Sequence, residues 1–253
     1  MEKEMHEMFE DHLPRLKIGA LKPLSVVDNS AYEFYRIAPP GVMLVMIPVG
    51  LGEFSKGDVE RVFAPIDGYV DQLMERGVDL IMQSGVPLPL LIGIEAHDRL
   101  MERIETRSGK PATSSVLGVV AAAKRLGLRR IVVANKWSEA MNRTLGEFFA
   151  RGGTAIVGVA AEVMGPDKFQ KISTADHMQL AYELGRQAFA QHPDADGLYI
   201  GGGSWLSEPV CQALEREFGR PAISNQSCMI WDTLSRLGAW KPIPGQGRLL
   251  SVA

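Results

Sequence analysis

The chain has 253 residues, 46% of them hydrophobic and 23% charged, with a formal net charge of −3. That length buries a full core in one large domain or two small ones, and so slight a charge excludes a nucleic-acid partner held by bulk electrostatics. The acidic start (MEKEMHEMFEDHLPRLK) lacks the apolar centre of a signal peptide. No stretch approaches the roughly 18 apolar residues of a membrane span. Cys211 and Cys228 are too few for a disulfide scaffold and fit a reducing compartment. The expectation is a cytoplasmic protein without a membrane partner.

Short apolar runs alternate with longer amphipathic segments. In chain order the runs are residues 17–22, 42–49, 78–85, 130–135, 154–161, 196–203 and 220–224. Most are apolar at their centres, as strands covered on both faces are. Between them, Asp58–Gly77, Ile94–Gly109 and Asp176–His192 carry Leu, Met, Val and Ile at three- and four-residue spacing, the period of helices. Strand–helix alternation implies parallel sheets flanked by helices.

The pattern also repeats. Asp79-Leu80-Ile81-Met82-Gln83-Ser84-Gly85 leads through a helix to Gly109-Lys110-Pro111-Ala112-Thr113-Ser114, and Asp196-Gly197-Leu198-Tyr199-Ile200-Gly201-Gly202-Gly203 leads to Gly219-Arg220-Pro221-Ala222-Ile223-Ser224. The predicted fold is therefore α/β, with two pseudo-symmetric Rossmann-like lobes and the site in the cleft between them. Lobe 1 takes residues 17–115 and 228–253, lobe 2 takes 116–227, and residues 1–16 form an N-terminal extension. Ligands of open parallel sheets sit beyond the carboxyl ends of the strands, so the strand ends carry the candidates.

Lys22 and Lys136 end equivalent strands. Read for function, the two ammonium groups hold a carboxylate; read for structure alone, they are solvated surface lysines. Glu53 is either a general base or a surface residue leading a helix that Ser55 caps. Gly201-Gly202-Gly203 is either an anion cradle with a helix starting just after it or a tight turn. It matches neither the dinucleotide fingerprint nor a P-loop. Trp137 and Trp205 are walls for a planar ligand or interface packing. Ser84 and Ser204 lack an evident histidine partner. Cys211 reads as a core thiol, while the start of a helix would lower the pKa of Cys228. His97, His177 and His192 read as surface residues, and no metal-ligand spacing is visible.

The strand order, the glycine turns at Gly85 and Gly202, and the phrases Gly-Leu-Gly (50–52), Leu-Gly-Leu-Arg-Arg-Ile (126–131) and Asp-Gly-Leu (196–198) resemble the aspartate/glutamate racemase superfamily. The similar branch is that of arylmalonate decarboxylase and maleate cis-trans isomerase, over about residues 17–247. The resemblance implies catalysis without metal or organic cofactor, by a cysteine acting on a substrate whose carboxylate sits in an anion hole. Pro23 and Leu51 agree with the decarboxylase pattern, and Gly203 still offers a backbone donor. The two cysteine positions fall on Gly85 and Gly202, the hydroxyl donors of the hole on Val86 and Pro87, and its tyrosine on Trp137. The family's thiol mechanism therefore cannot run as written, while Lys22, Glu53, Lys136, Ser204 and Asn225 bring polar groups of their own.

The expectation is a cofactor-independent, lyase-like enzyme (decarboxylation, or hydration and elimination) acting on a small aromatic or unsaturated carboxylic acid. Glu53 and Lys136 would be its catalytic groups. Lys22, Pro23, Leu51, Ser84, Gly85, Val86, Trp137, Gly202, Gly203, Ser204 and Asn225 would bind the substrate. Hydrolysis of a small amide or lactone by Glu53-activated water, and carboxylate binding without catalysis, stand as alternatives. Trp240 and the tail at 241–247 offer an interface for a homo-oligomer.

Overall fold

The computed structural model describes residues 9–27 and 29–252. The first eight residues of the expected N-terminal extension lie outside them. The chain builds two four-stranded sheets, both wholly parallel. The first contains β1 (Leu16–Lys22), β2 (Val42–Pro48), β3 (Leu80–Gln83) and β4 (Ala112–Ser114), in the order β2-β1-β3-β4. The second contains β5 (Arg130–Asn135), β6 (Ala155–Ala161), β7 (Gly197–Ile200) and β8 (Ala222–Ser224), in the order β6-β5-β7-β8. The sequence repeat is thus a topological repeat.

Twelve α-helices among the described residues cover the sheets. In the first half they are α1 (Asn29–Ile37), α2 (Lys56–Phe63), α3 (Ile66–Glu75), α4 (Pro87–Ile92), α5 (Ile94–Ser108) and α6 (Ser115–Arg125). In the second they are α7 (Glu139–Arg151), α8 (Pro166–Phe169), α9 (Thr174–Gln191), α10 (Glu208–Phe218), α11 (Asn225–Arg236) and α12 (Gly247–Ser251). The segment 58–77 that reads as one helix is two, broken at Ala64-Pro65, where proline at the N-cap of α3 cannot supply the amide a continuous helix would need. Ser55 caps α2 as expected, its hydroxyl accepting from the Asp58 amide at 3.2 Å.

Alternate residues of each central strand feed opposite faces. Ile18 and Ala20 share a core with Phe34 of α1 and with Met229, Ile230 and Leu234 of α11. On the other face, Leu21 and Ile81 meet Val59, Leu73 and Ile104 of α2, α3 and α5. In the second sheet, Val132 and Ala134 pack against Leu184 of α9 and Leu214 of α10, whereas Ile131 and Val133 meet Val116 and Val119 of α6 and Phe148 of α7. Helices α6 and α11 therefore cross over. Each follows the last strand of one sheet and covers a face of the other. They touch where Gly118 faces Asp232 and the Cys228 carbonyl.

In each sheet the chain passes from its first strand to one side and then returns to the other. The switch points lie at β1/β3 and β5/β7, the place where parallel sheets open a crevice beyond their carboxyl ends. Lys22 is the last residue of β1, and Lys136 directly follows β5.

Candidate active site

A cavity at the two switch points is lined by residues of both lobes. Among them are Lys22, Pro23, Ser84, Gly85, Pro87, Lys136, Trp137, Gly202, Gly203, Ser204 and Asn225. Most residues expected from the strand ends therefore meet at one place. Ser30, Phe54, Ser115, Phe169 and Gln226 join them without having been singled out in the sequence. Ser115 and Asn225 are symmetry mates, each the first residue of the helix after the last strand of its lobe. The repeat carried the signal that would have found Ser115.

Both lysines are buried, Lys22 at 2% and Lys136 at 3% exposure. The bland expectation of solvated lysines is thereby excluded. Neither has a carboxylate within 4 Å among the described residues. Lys22 Nζ reaches Ser30 Oγ at 3.5 Å. Lys136 Nζ donates to Ser204 Oγ at 3.0 Å and lies over the rings of Phe169 and Trp205, 4.1 and 4.7 Å from their centroids. An ammonium stripped of water without a counter-charge releases its proton more readily. Burial pulls Lys136 down to about 7 and Lys22 down to about 8.

The loop after β7 supplies donors. Gly201 N–H is taken by the Ala134 carbonyl at 2.8 Å, and the Trp137 ring lies where a side chain on Gly201 would begin. The N–H groups of Gly202, Gly203 and Ser204 have no acceptor among the described residues. Asn29 Nδ2 pins the Ser204 carbonyl at 3.0 Å and Thr174 Oγ1 holds Asn29 Oδ1 at 3.1 Å, so α1 ties lobe 1 to this loop. A second tie lies deeper, where Glu33 Oε1 accepts the Glu208 amide at 2.7 Å. The loop is not a helix N-terminus, because α10 starts only at Glu208. What recommends it is its unclaimed amides.

On the lobe 1 side, Gly85 has φ of +92°, and a Cβ there would come within 2.8 Å of Pro23 Cγ. Its amide donates to Ser115 Oγ at 3.1 Å. Asn225 Oδ1 accepts from the buried Tyr199 hydroxyl, which fixes the orientation of its amide.

Several expectations are corrected. Glu53 is exposed and absent from the cavity wall; its amide is bound by Asp58 Oδ2 at 2.9 Å, so its turn faces water. Leu51 and Val86 are buried in the cores beneath the site and do not line it. Cys228 opens a helix, but burial pushes its thiol well above the usual range. His97 and His177 are buried, not surface residues; His97 Nε2 meets Ser114 Oγ at 2.9 Å. Among the described residues no group of three metal-ligating side chains converges, and no helix is long and apolar enough to cross a membrane.

Fold and site together define a two-lobed α/β protein whose cavity, at paired switch points, presents cations and free amides within apolar walls. The chain belongs to the arylmalonate decarboxylase family, whose model matches residues 34–250. It is 24% identical over 212 residues to arylmalonate decarboxylase of Bordetella bronchiseptica, covering 83% of this chain and 87% of that protein. A doubly substituted arylmalonate decarboxylase in liganded form superposes with a TM-score of 0.81 at 22% identity, over 93% of this chain and 98% of that one. The maleate isomerase Iso of Pseudomonas putida S16 gives 0.80 at 16% identity over the same shares of the two chains. A maleate cis-trans isomerase of Nocardia farcinica carrying a covalently bound succinylcysteine gives 0.80 at 18%, again over 93% and 98%.

Proposed function

We propose that the chain is a cofactor-independent, lyase-type enzyme that decarboxylates a small carboxylic acid bearing an apolar, aryl or unsaturated, group. One observation carries the reading. A Cβ on Gly202 would lie 3.5 Å from Lys136 Cε, so the lysine fills the space beside the position where the resemblance puts the second thiol. An amine held at about 7 by burial is divided between its acid and base forms at neutral pH, the condition for general acid–base work.

In this reading one carboxylate of the substrate sits against Lys22 and the free amides of Gly202 and Gly203, while its apolar group rests on Leu24, Leu88 and Phe169. The bond to the departing carboxyl group breaks, CO2 leaves, and the electron pair spreads into the retained carboxylate. The amides and Lys22 stabilise that charge, a role for which fixed dipoles are effective. The Lys136 ammonium delivers its proton to carbon, and solvent restores it. Hydration or elimination beside a carboxylate would use the same groups. Hydrolysis by Glu53-activated water loses its base, since Glu53 stands outside the cavity.

The test is CO2 release from a panel of arylmalonates and unsaturated diacids. Lys136→Met is expected to lower kcat by at least 100-fold, and Lys22→Met mainly to raise KM. No turnover on any acid, with carboxylates still raising the Tm, would replace the enzyme with a binding protein.

A further inference from the structure

The hydrogen bond between Lys136 Nζ and Ser204 Oγ, at 3.0 Å, joins a buried amine of the cavity to a hydroxyl. Three further observations surround it. Ser204 lines the cavity and is only partly buried, so a ligand can reach its oxygen. Lys136 is held between Phe169 and Trp205, and no carboxylate among the described residues keeps it an ammonium. The flanking N–H groups of Gly202, Gly203 and Ser204 have no acceptor among the described residues. Nucleophile, base within hydrogen-bond reach, orienting contacts and oxyanion donors are the parts an acyl-transfer site requires.

We infer that Ser204 and Lys136 form a serine–lysine dyad that hydrolyses small esters, lactones or thioesters carrying a carboxylate. Ser204 Oγ attacks the acyl carbon while its proton passes to the Lys136 amine. The carbonyl electron pair moves onto oxygen, beside the free amides. Collapse restores the carbonyl and expels the leaving group, which takes the proton from Lys136. Water then attacks the Ser204 ester, giving its proton to Lys136. The second collapse releases the acid and returns the proton to Ser204. The balance is one water consumed, with no oxidant or reductant. Lys22, the other charge on the cavity wall, is left to bind the carboxylate of the acyl compound.

The base must be the free amine, and its surroundings support that. Burial holds the amine at about 7, and the ring faces oppose this by favouring the cation. Of the charged groups on the elements packed around it, Glu162 and Lys168 pair with each other on the surface at 3.9 Å and Asp167 is exposed. The buried His177 ring lies behind Trp205, at 6.3 Å.

This activity does not depend on the decarboxylation reading, because its test requires no release of CO2. The full chain is treated with phenylmethanesulfonyl fluoride and with a small fluorophosphonate, and the labelled peptide is read by mass spectrometry. Hydrolysis of p-nitrophenyl acetate and of the half-ester p-nitrophenyl succinate is followed in parallel. The expected result is one adduct, on Ser204, formed at a rate that rises through pH 7. The half-ester should be hydrolysed at least tenfold more efficiently than the acetate, with that preference lost in Lys22→Met. Ser204→Ala and Lys136→Arg should each lower labelling or hydrolysis at least 50-fold. The arginine variant keeps the charge and loses the base, and a retained melting transition shows that it is folded. No adduct together with no ester hydrolysis, an adduct elsewhere, or unchanged rates in folded Lys136→Arg would overturn the dyad, whether or not CO2 is released from malonates.

Discussion

Replacing Lys136 with methionine should make this protein more stable while disabling its site. The fall of its pKa from 10.5 to about 7, at about 1.4 kcal/mol per pH unit, makes the buried ammonium about 5 kcal/mol less favourable than a solvated one. Its contacts with Phe169, Trp205 and Ser204 return part of the stability difference on substitution, about 2 kcal/mol together. Methionine is unbranched and fills irregular gaps well. The net gain at pH 7 is on the order of 2–3 kcal/mol, or about 5–10 °C in Tm for a chain of this size. The pH dependence is the sharper signature. A depressed lysine pKa leaves the penalty complete below about 7, and it fades as pH rises toward 10.5, where the unfolded chain also releases its proton. Urea titrations of both proteins at pH 6.5, 8.5 and 10.5 should show a gap that narrows along the series. A variant less stable than the parent at pH 7, or a gap indifferent to pH, would mean that the ammonium is compensated in the folded state and that the site has been misread.

Glu33 and Glu208 are raised by burial to about 8 and about 7, so their contribution is full below pH 4.5 and is lost as pH rises through 7–8; Glu33→Gln should flatten the urea midpoint across that window. Gly85→Ala forces a side chain into φ +92° and to within 2.8 Å of Pro23; chemical denaturation should show a loss of about 2–4 kcal/mol. Glu53→Ala should leave turnover within twofold of the parent; a tenfold fall in kcat would return that carboxylate to the mechanism.

How far the sequence announced this site depends on which property each residue needed. β5 occupies 130–135 and β1 ends at Lys22, as the apolar runs indicate, because strands buried on both faces leave an uninterrupted signal. The internal repeat then located Lys136, Ser204 and Asn225 together, since equivalent strand ends must face one crevice. Glu53 misled because chain position near a strand end does not fix direction, and here Asp58 binds the turn from outside. The burial of the lysines was also hidden. Nothing local distinguishes a solvated lysine from one enclosed by Phe169, a residue that arrives from 33 positions further along the chain. The histidines failed for a related reason: His97 lies against Phe148 of α7 and His177 against Trp205, residues from distant parts of the chain.

The exchange of α6 and α11 between the sheets gives the molecule the connectivity of a swapped dimer closed into one chain. Each half lends the other the helix that completes its core, as protomers do when they trade an identical element. Neither half cut at the repeat boundary would keep its apolar face covered, so the two cannot be expressed as independent folding units and should melt together. The same exchange makes α6 and α11 the seam between the lobes: swinging the lobes apart would part these two helices where Gly118 meets Asp232 and break the bond by which α1 pins the loop at Ser204.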